Sequence, residues 1–110
     1  MTTVLVAHAV GSFAENKDTA RDIRVNTIIP TLQNGGDVIL DFSGVDLSTQ
    51  SFMHALLSAA ITELGAEILD RMTFKNCNEN VQGLINIVVE YSQASIDRLS
   101  LWEIENHDAE

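Results

Sequence analysis

Residues 41–51 gather a dense run of polar side chains into one stretch: Asp41, Ser43, Asp46, Ser48, Thr49, Gln50 and Ser51, with Gly44 among them. They separate the apolar run Val38 to Phe42 from a second apolar run that opens at Phe52. The pattern reads as a buried strand, a short polar loop and a helix starting on Ser51. Hydroxyl and amide groups then stand at the positive end of a helix, at the rim of a sheet, where partners and anions bind. Ser51 is expected to be the N-cap, its hydroxyl accepting from a backbone N–H two or three residues on, typically worth about 1 kcal/mol. Asp41, near the carboxyl end of the strand, is expected to tie down loop N–H groups, because a buried carboxylate without partners is costly. Ser43-Gly44 reads as turn chemistry. Gln50, preceding the cap with an exposed amide, leads the expected partner-binding set, which Asp46, Ser48, Thr49 and Ser51 complete.

Catalytic chemistry finds no such concentration. His8, His54 and His107 lie far apart and have no ligand spacing. His54, one turn into the apolar helix, reads as a structural histidine. Cys77 has no neighbouring His and reads as a small buried hydrophobe. Glu103 and Glu105 sit in an acidic tail. Gly35-Gly36 precedes a strand rather than opening a helix, the reverse of a phosphate-binding loop. With no nucleophile–base pair and no metal set, the expectation is a protein without enzymatic activity, catalytic residues, metal or cofactor.

The elements that would position the loop follow from periodicity. Thr3 to Ala9 is β-rich and reads as a first strand, broken by Gly11-Ser12. A helix is expected from Asp18 or Thr19, with Val25, Ile28, Ile29 and Leu32 on one buried face and Pro30 kinking or splitting it. Asn34-Gly35-Gly36 stops that helix. Asp37 to Phe42 is apolar at nearly every position and is expected to be a central strand covered on both faces. Ser51 to Leu64 is a largely buried helix ended by Gly65. Arg71 to Asn76 reads as a third strand, Asn78 as the cap of a helix carrying Val81, Leu84, Ile85 and Val88, and Ser95 to Ile104 as either helix or strand. This β-α-β-α-β-α order predicts an α/β fold, a small and largely parallel sheet packed with helices.

Composition narrows the partners. The chain has 110 residues, 45% of them apolar and 5% aromatic, enough for one domain with an aliphatic core. A formal net charge of −10 and six scattered Lys and Arg argue against nucleic acid and against an anionic membrane surface. One cysteine excludes an intrachain disulfide. The start Met1 to His8 has no basic region and too short an apolar run for a signal peptide, and no segment reaches the ~20 apolar residues of a membrane span. A cytoplasmic protein is expected.

Leu40-Asp41-Phe42-Ser43-Gly44-Val45, followed by Ser51 at a helix start, resembles STAS domains, the fold of bacterial anti-sigma factor antagonists. Those carry a Leu-Asp-hydrophobic-Ser-Gly-Val strand and then an Asp-Ser-Ser-Gly loop opening a helix. The closer resemblance is to the STAS-like family of unknown function, in which Asp-Phe-Ser-Gly-Val precedes a Gln-Ser-Phe or Ser-Ser-Phe helix start. The resemblance implies a single STAS-like domain over 1–105, with 106–110 an acidic end. It also implies a regulatory protein-interaction module of bacterial signalling or defence, whose partner is a kinase-like ATPase or other switch protein, with a homo-oligomer compatible. Aligned without gaps, the antagonists' loop Asp falls on Thr49 and their phosphorylated Ser on Gln50, so only Ser51 matches. The alternative function is a small-molecule or nucleotide sensor using the helix N-terminus at Ser51.

Overall fold

The computed structural model describes residues 1–93. The segment 95–104, readable as helix or strand, and the acidic end 106–110 lie outside the described residues. Three parallel strands form the main sheet in the order β1 (Thr2–Leu5), β3 (Val38–Asp41), β5 (Met72–Lys75). A second parallel pair, β2 (Phe13–Ala14) and β4 (Leu47–Ser48), sits apart from it. The chain is thus α/β with small parallel sheets packed with helices, and the 37–42 segment holds the centre between its two expected neighbours.

Register shows how the sheet meets the core. Val4, Leu40 and Phe74 align across the strands, as do Val38 and Met72, and this face joins the apolar core. The opposite face carries Thr3, Ile39 and Thr73, then Leu5, Asp41 and Lys75. Thr3, Leu5, Thr73 and Lys75 are exposed, and Ile39 is half-buried. The expectation of two-sided cover is therefore corrected: the apolar run at 38–42 reflects one packed face plus a single Ile sheltered among strand neighbours.

β1 is shorter than its β-rich composition suggests. It ends at Leu5, and Val6–Val10 forms the short helix α1. Val6 is buried and Val10 half-buried, an i, i+4 pair that fits a helix turn as well as a strand. Gly11, at φ 74°, closes the turn by donating its N–H to the Ala7 carbonyl at 2.7 Å.

The first crossover holds α2 (Lys17–Ile23), a π-helical turn (Arg24–Ile28) and α3 (Ile29–Gln33) in one continuous run. Asn16 caps α2, its Oδ1 accepting from the N–H groups of Asp18 and Thr19, so neither Asp18 nor Thr19 is the cap. Pro30 sits in the first turn of α3, where its missing N–H costs least. The wider π-turn just before it relieves the clash that a proline ring makes with the preceding turn. The extra residue also rotates what precedes it, so Ile28 and Leu32 are buried while Val25 is 47% exposed.

The second crossover holds α4 (Gln50–Leu64), on which Phe52, Met53, Leu56, Leu57, Ala60 and Ile61 are fully buried. Fully burying each large side chain is worth about 1.5–3 kcal/mol as an upper bound, so this helix anchors the core. Arg24 Nη1 fastens it to the π-turn by donating to the Ala55 carbonyl at 2.7 Å. Gly65 ends it at φ 96°, and a 3-10 helix (Ala66–Arg71) leads into β5. Beyond β5, Asn78 Oδ1 accepts from the Val81 N–H and caps the helix at 79–93, here α5. Val81, Ile85 and Val88 of α5 complete the core.

Candidate functional site

The polar loop leaves β3 at a braced corner. Asp41 Oδ1 accepts from the Ser43 N–H at 2.9 Å and from Asn76 Nδ2 at 3.0 Å, joining the carboxyl ends of β3 and β5. The Asn76 amide, then the Ser43 N–H, with Lys75 nearby, hold the Asp41 carboxyl below its ordinary pKa. Asn76 takes the left-handed conformation (φ 58°), which Asn tolerates better than most residues. Gly44 needs its φ of 87°, and a Cβ there would stand 3.3 Å from that of Ala7.

From Val45 onward the loop backbone is held on two sides. On one side the N–H groups of Asp46 and Leu47 donate to the Ser12 carbonyl, and the Thr49 N–H donates to that of Ala14. On the other, Asn78 Nδ2 donates to the carbonyls of Val45 (3.3 Å) and Asp46 (2.7 Å), and Asn80 Oδ1 accepts from the Ser48 N–H at 3.0 Å. Three asparagines at alternate positions, 76, 78 and 80, therefore brace one loop. Only the helix cap at Asn78 was legible from sequence; the alternation of amides beside a helix start was the available signal for the other two.

The cap of α4 is Thr49, not Ser51. Thr49 Oγ1 accepts from the Phe52 N–H at 3.0 Å, and the helix begins at Gln50. Thr49 has the extended conformation a cap requires, with its own N–H held by the Ala14 carbonyl, whereas Ser51 already lies within the helix. Ser51 is released to the surface, in the first turn. The expected partner-binding set divides accordingly. Asp46, Gln50 and Ser51 are exposed, Thr49 is half-buried under its capping role, and Ser48 is buried, with its hydroxyl donating to the Thr49 carbonyl.

His54 is exposed rather than buried, because it faces away from the stripe that packs into the core. With Lys17, Gln50, Ser51 and Ala55 it lines an open groove between α2 and the start of α4. On the other side of Gln50, a smaller notch between α4 and α5 is lined by Gln50, His54, Ile87, Val88 and Tyr91. There the His54 and Tyr91 rings lie 5.5 Å apart, tilted by 58°. Phe13 and Leu47, cross-strand partners in β2–β4, are also exposed. Sequence reasoning singled out none of Phe13, Leu47, Ile87 or Tyr91; Phe, Leu and Ile elsewhere in the chain fill the core, and Tyr91 carries no local signal of its own.

Cys77 is half-buried, and burial together with the Asp41 charge raises its thiol pKa, the reverse of an activated nucleophile. Among the described residues, no group of three His, Cys, Asp or Glu side chains is placed to hold a metal. No helix among them is long and apolar enough to cross a membrane.

Comparison with known proteins agrees with this geometry. The family model described as STAS-like domain of unknown function (DUF4325) matches residues 19–82, from α2 through the braced loop to the start of α5. No curated protein and no solved structure matches the chain. The match spans more than half of the chain and contains the whole Asp41–Ser51 segment, so the chain belongs to the STAS-like domain family of unknown function.

Proposed function

We propose that this chain is a non-enzymatic regulatory module that docks a protein partner through the 46–50 loop and the first turn of α4. The observation that carries the reading is the contrast between a fully braced loop backbone and the exposed side chains it presents. Asp46, Leu47, Gln50 and Ser51 project from a backbone fixed by Ser12, Ala14, Asn78 and Asn80. A surface already ordered loses little conformational entropy on binding. The half-buried corner at Asp41, bonded to the Ser43 N–H and the Asn76 amide, fits a structural role.

By resemblance to the anti-sigma factor antagonists, the partner is a kinase-like ATPase or other switch protein of bacterial signalling or defence, met in the cytoplasm. Phosphate control of such a surface would need an exposed hydroxyl. Ser48 is buried and Thr49 is occupied as a cap, which leaves Ser51 as the exposed hydroxyl of the 48–51 stretch. Affinity capture from the native host, with wild type and Gln50→Glu as parallel baits, tests the reading. A protein held by wild type and lost on Gln50→Glu supports it, and equal recovery on both baits moves the docking surface elsewhere. The groove beside Lys17 favours a second reading, a small-molecule or nucleotide sensor. Nucleotide binding by wild type that disappears in Gln50→Glu, with no protein captured, would select it.

A further inference from the structure

Two exposed apolar features adjoin the 46–50 loop. One is the notch between α4 and α5, where Val88 forms the floor and Ile87 and Tyr91 stand 49% and 58% exposed. Ile87 and Tyr91 are four residues apart on α5 and so share one face of the helix. The other is the Phe13–Leu47 pair, 46% and 54% exposed, at the head of the loop. Exposed carboxylates belong to the same short segments: Glu90 adjoins Tyr91 in sequence, Asp46 adjoins Leu47, and Glu15 lies two residues from Phe13. Glu79, also exposed, lies between the two loop-bracing asparagines. Lys17 lines the separate groove on the far side of Gln50.

Resting on the docking reading above, we infer that this strip receives a basic, amphipathic segment of the partner protein. An apolar side chain of the segment enters the notch beside Ile87 and the His54–Tyr91 pair, and a second lies on Phe13 and Leu47. Lys and Arg side chains of the segment meet the carboxylates. Charge selects this occupant over the others. An anionic bilayer or a nucleic acid would meet like charge, in a chain whose formal net charge is already −10. A second copy of the chain, meeting the same surface across a two-fold axis, would set carboxylates against carboxylates. A basic segment gains from the exposed carboxylates of these segments and from the long-range field, and it reads the apolar side chains in the manner of an amphipathic segment laid in a groove.

The test uses the full chain and three synthetic peptides of equal length: amphipathic Leu/Lys, Ser/Lys of the same charge, and amphipathic Leu/Glu. Amide chemical shifts of the isotope-labelled protein report where each one binds. The expected result is that Leu/Lys shifts residues 13, 47, 54, 87 and 91, binding about tenfold tighter than Ser/Lys, while Leu/Glu does not bind. The paired change Ile87→Gln with Tyr91→Gln, both at exposed sites, should weaken Leu/Lys by about tenfold and leave thermal unfolding unchanged. Shifts that map to the open face of the sheet, equal binding by Ser/Lys, or affinity unmoved by the paired change would overturn the inference. So would self-association in sedimentation equilibrium that the paired change abolishes. A captured partner weakened by Gln50→Glu but not by the paired change would overturn the strip and leave the docking reading standing. One weakened by the paired change alone would support the strip and remove the loop from the interface.

Discussion

Thr49 and Ser51 divide work that the residue pattern assigns to one of them. Both are hydroxyl residues ahead of an apolar helix, and only the position of the first helical N–H separates them. Because Thr49 Oγ1 receives the Phe52 N–H, Thr49→Ala should lower stability by about 0.5–2 kcal/mol in urea denaturation. Ser51→Ala and Gln50→Ala should each stay within about 0.5 kcal/mol of wild type, as exposed surface changes do. A loss at Ser51 equal to that at Thr49 would return the cap to Ser51. Asp41 supplies a second residue-scale expectation. Its carboxyl pKa is lowered in the folded protein, first by the Asn76 amide. The linked stabilisation is therefore complete above the unfolded value of about 3.9 and is lost as pH falls through the lower folded value. Asp41→Asn should flatten this acid-side limb of the stability profile, and an unchanged limb would show that the two hydrogen bonds do not discriminate the charged form.

At the scale of elements, the three strands of the main sheet and the long helices were legible in the sequence because each carries a strong period, while the two-residue strands β2 and β4 were not. β3 has its apolar run, α4 its doubled stripe, and α3 its glycine stop. What remained hidden depended on tertiary contact. The change from β1 to α1 inside one β-rich run is decided by burial of Val6, and the exposure of Val25 by a π-turn that local periodicity cannot register. The cover of the sheet on a single face is likewise a property of packing, since an isolated apolar run reads the same whether one face or two are filled. The corner after β3 gives the prediction proper to this scale. Gly44→Ala must hold a side chain at φ 87° beside Ala7, and should cost about 1–3 kcal/mol in stability. Asn78→Ala should cost about 0.5–2 kcal/mol through the α5 cap alone. It should also loosen the loop that Asn78 braces, seen as faster amide exchange at Leu47 and Thr49 than in wild type. Unchanged exchange there would assign the bracing to Ser12, Ala14 and Asn80.

Across the whole molecule, the candidate site was half legible. The 46–51 segment stood out by composition, and its exposed members Asp46, Gln50 and Ser51 occupy one rim of the fold. Its apolar companions are Leu47 of the segment itself and residues of β2 and α5, two elements far apart in sequence that only the fold brings to it. The proposed docking surface unites these on a strongly acidic STAS-like domain, and charge placed on Gln50 should break the complex without breaking the fold. The helix dipole favours a carboxylate in the first turn of α4 by about 0.3–1 kcal/mol, so Gln50→Glu should fold as well as wild type. Calorimetric titration of wild type and Gln50→Glu against the captured partner is the most direct measurement of that claim. The expected result is an affinity lower by at least about tenfold, roughly 1.4 kcal/mol, with unfolding unchanged. Equal affinity for the two proteins would contradict the account.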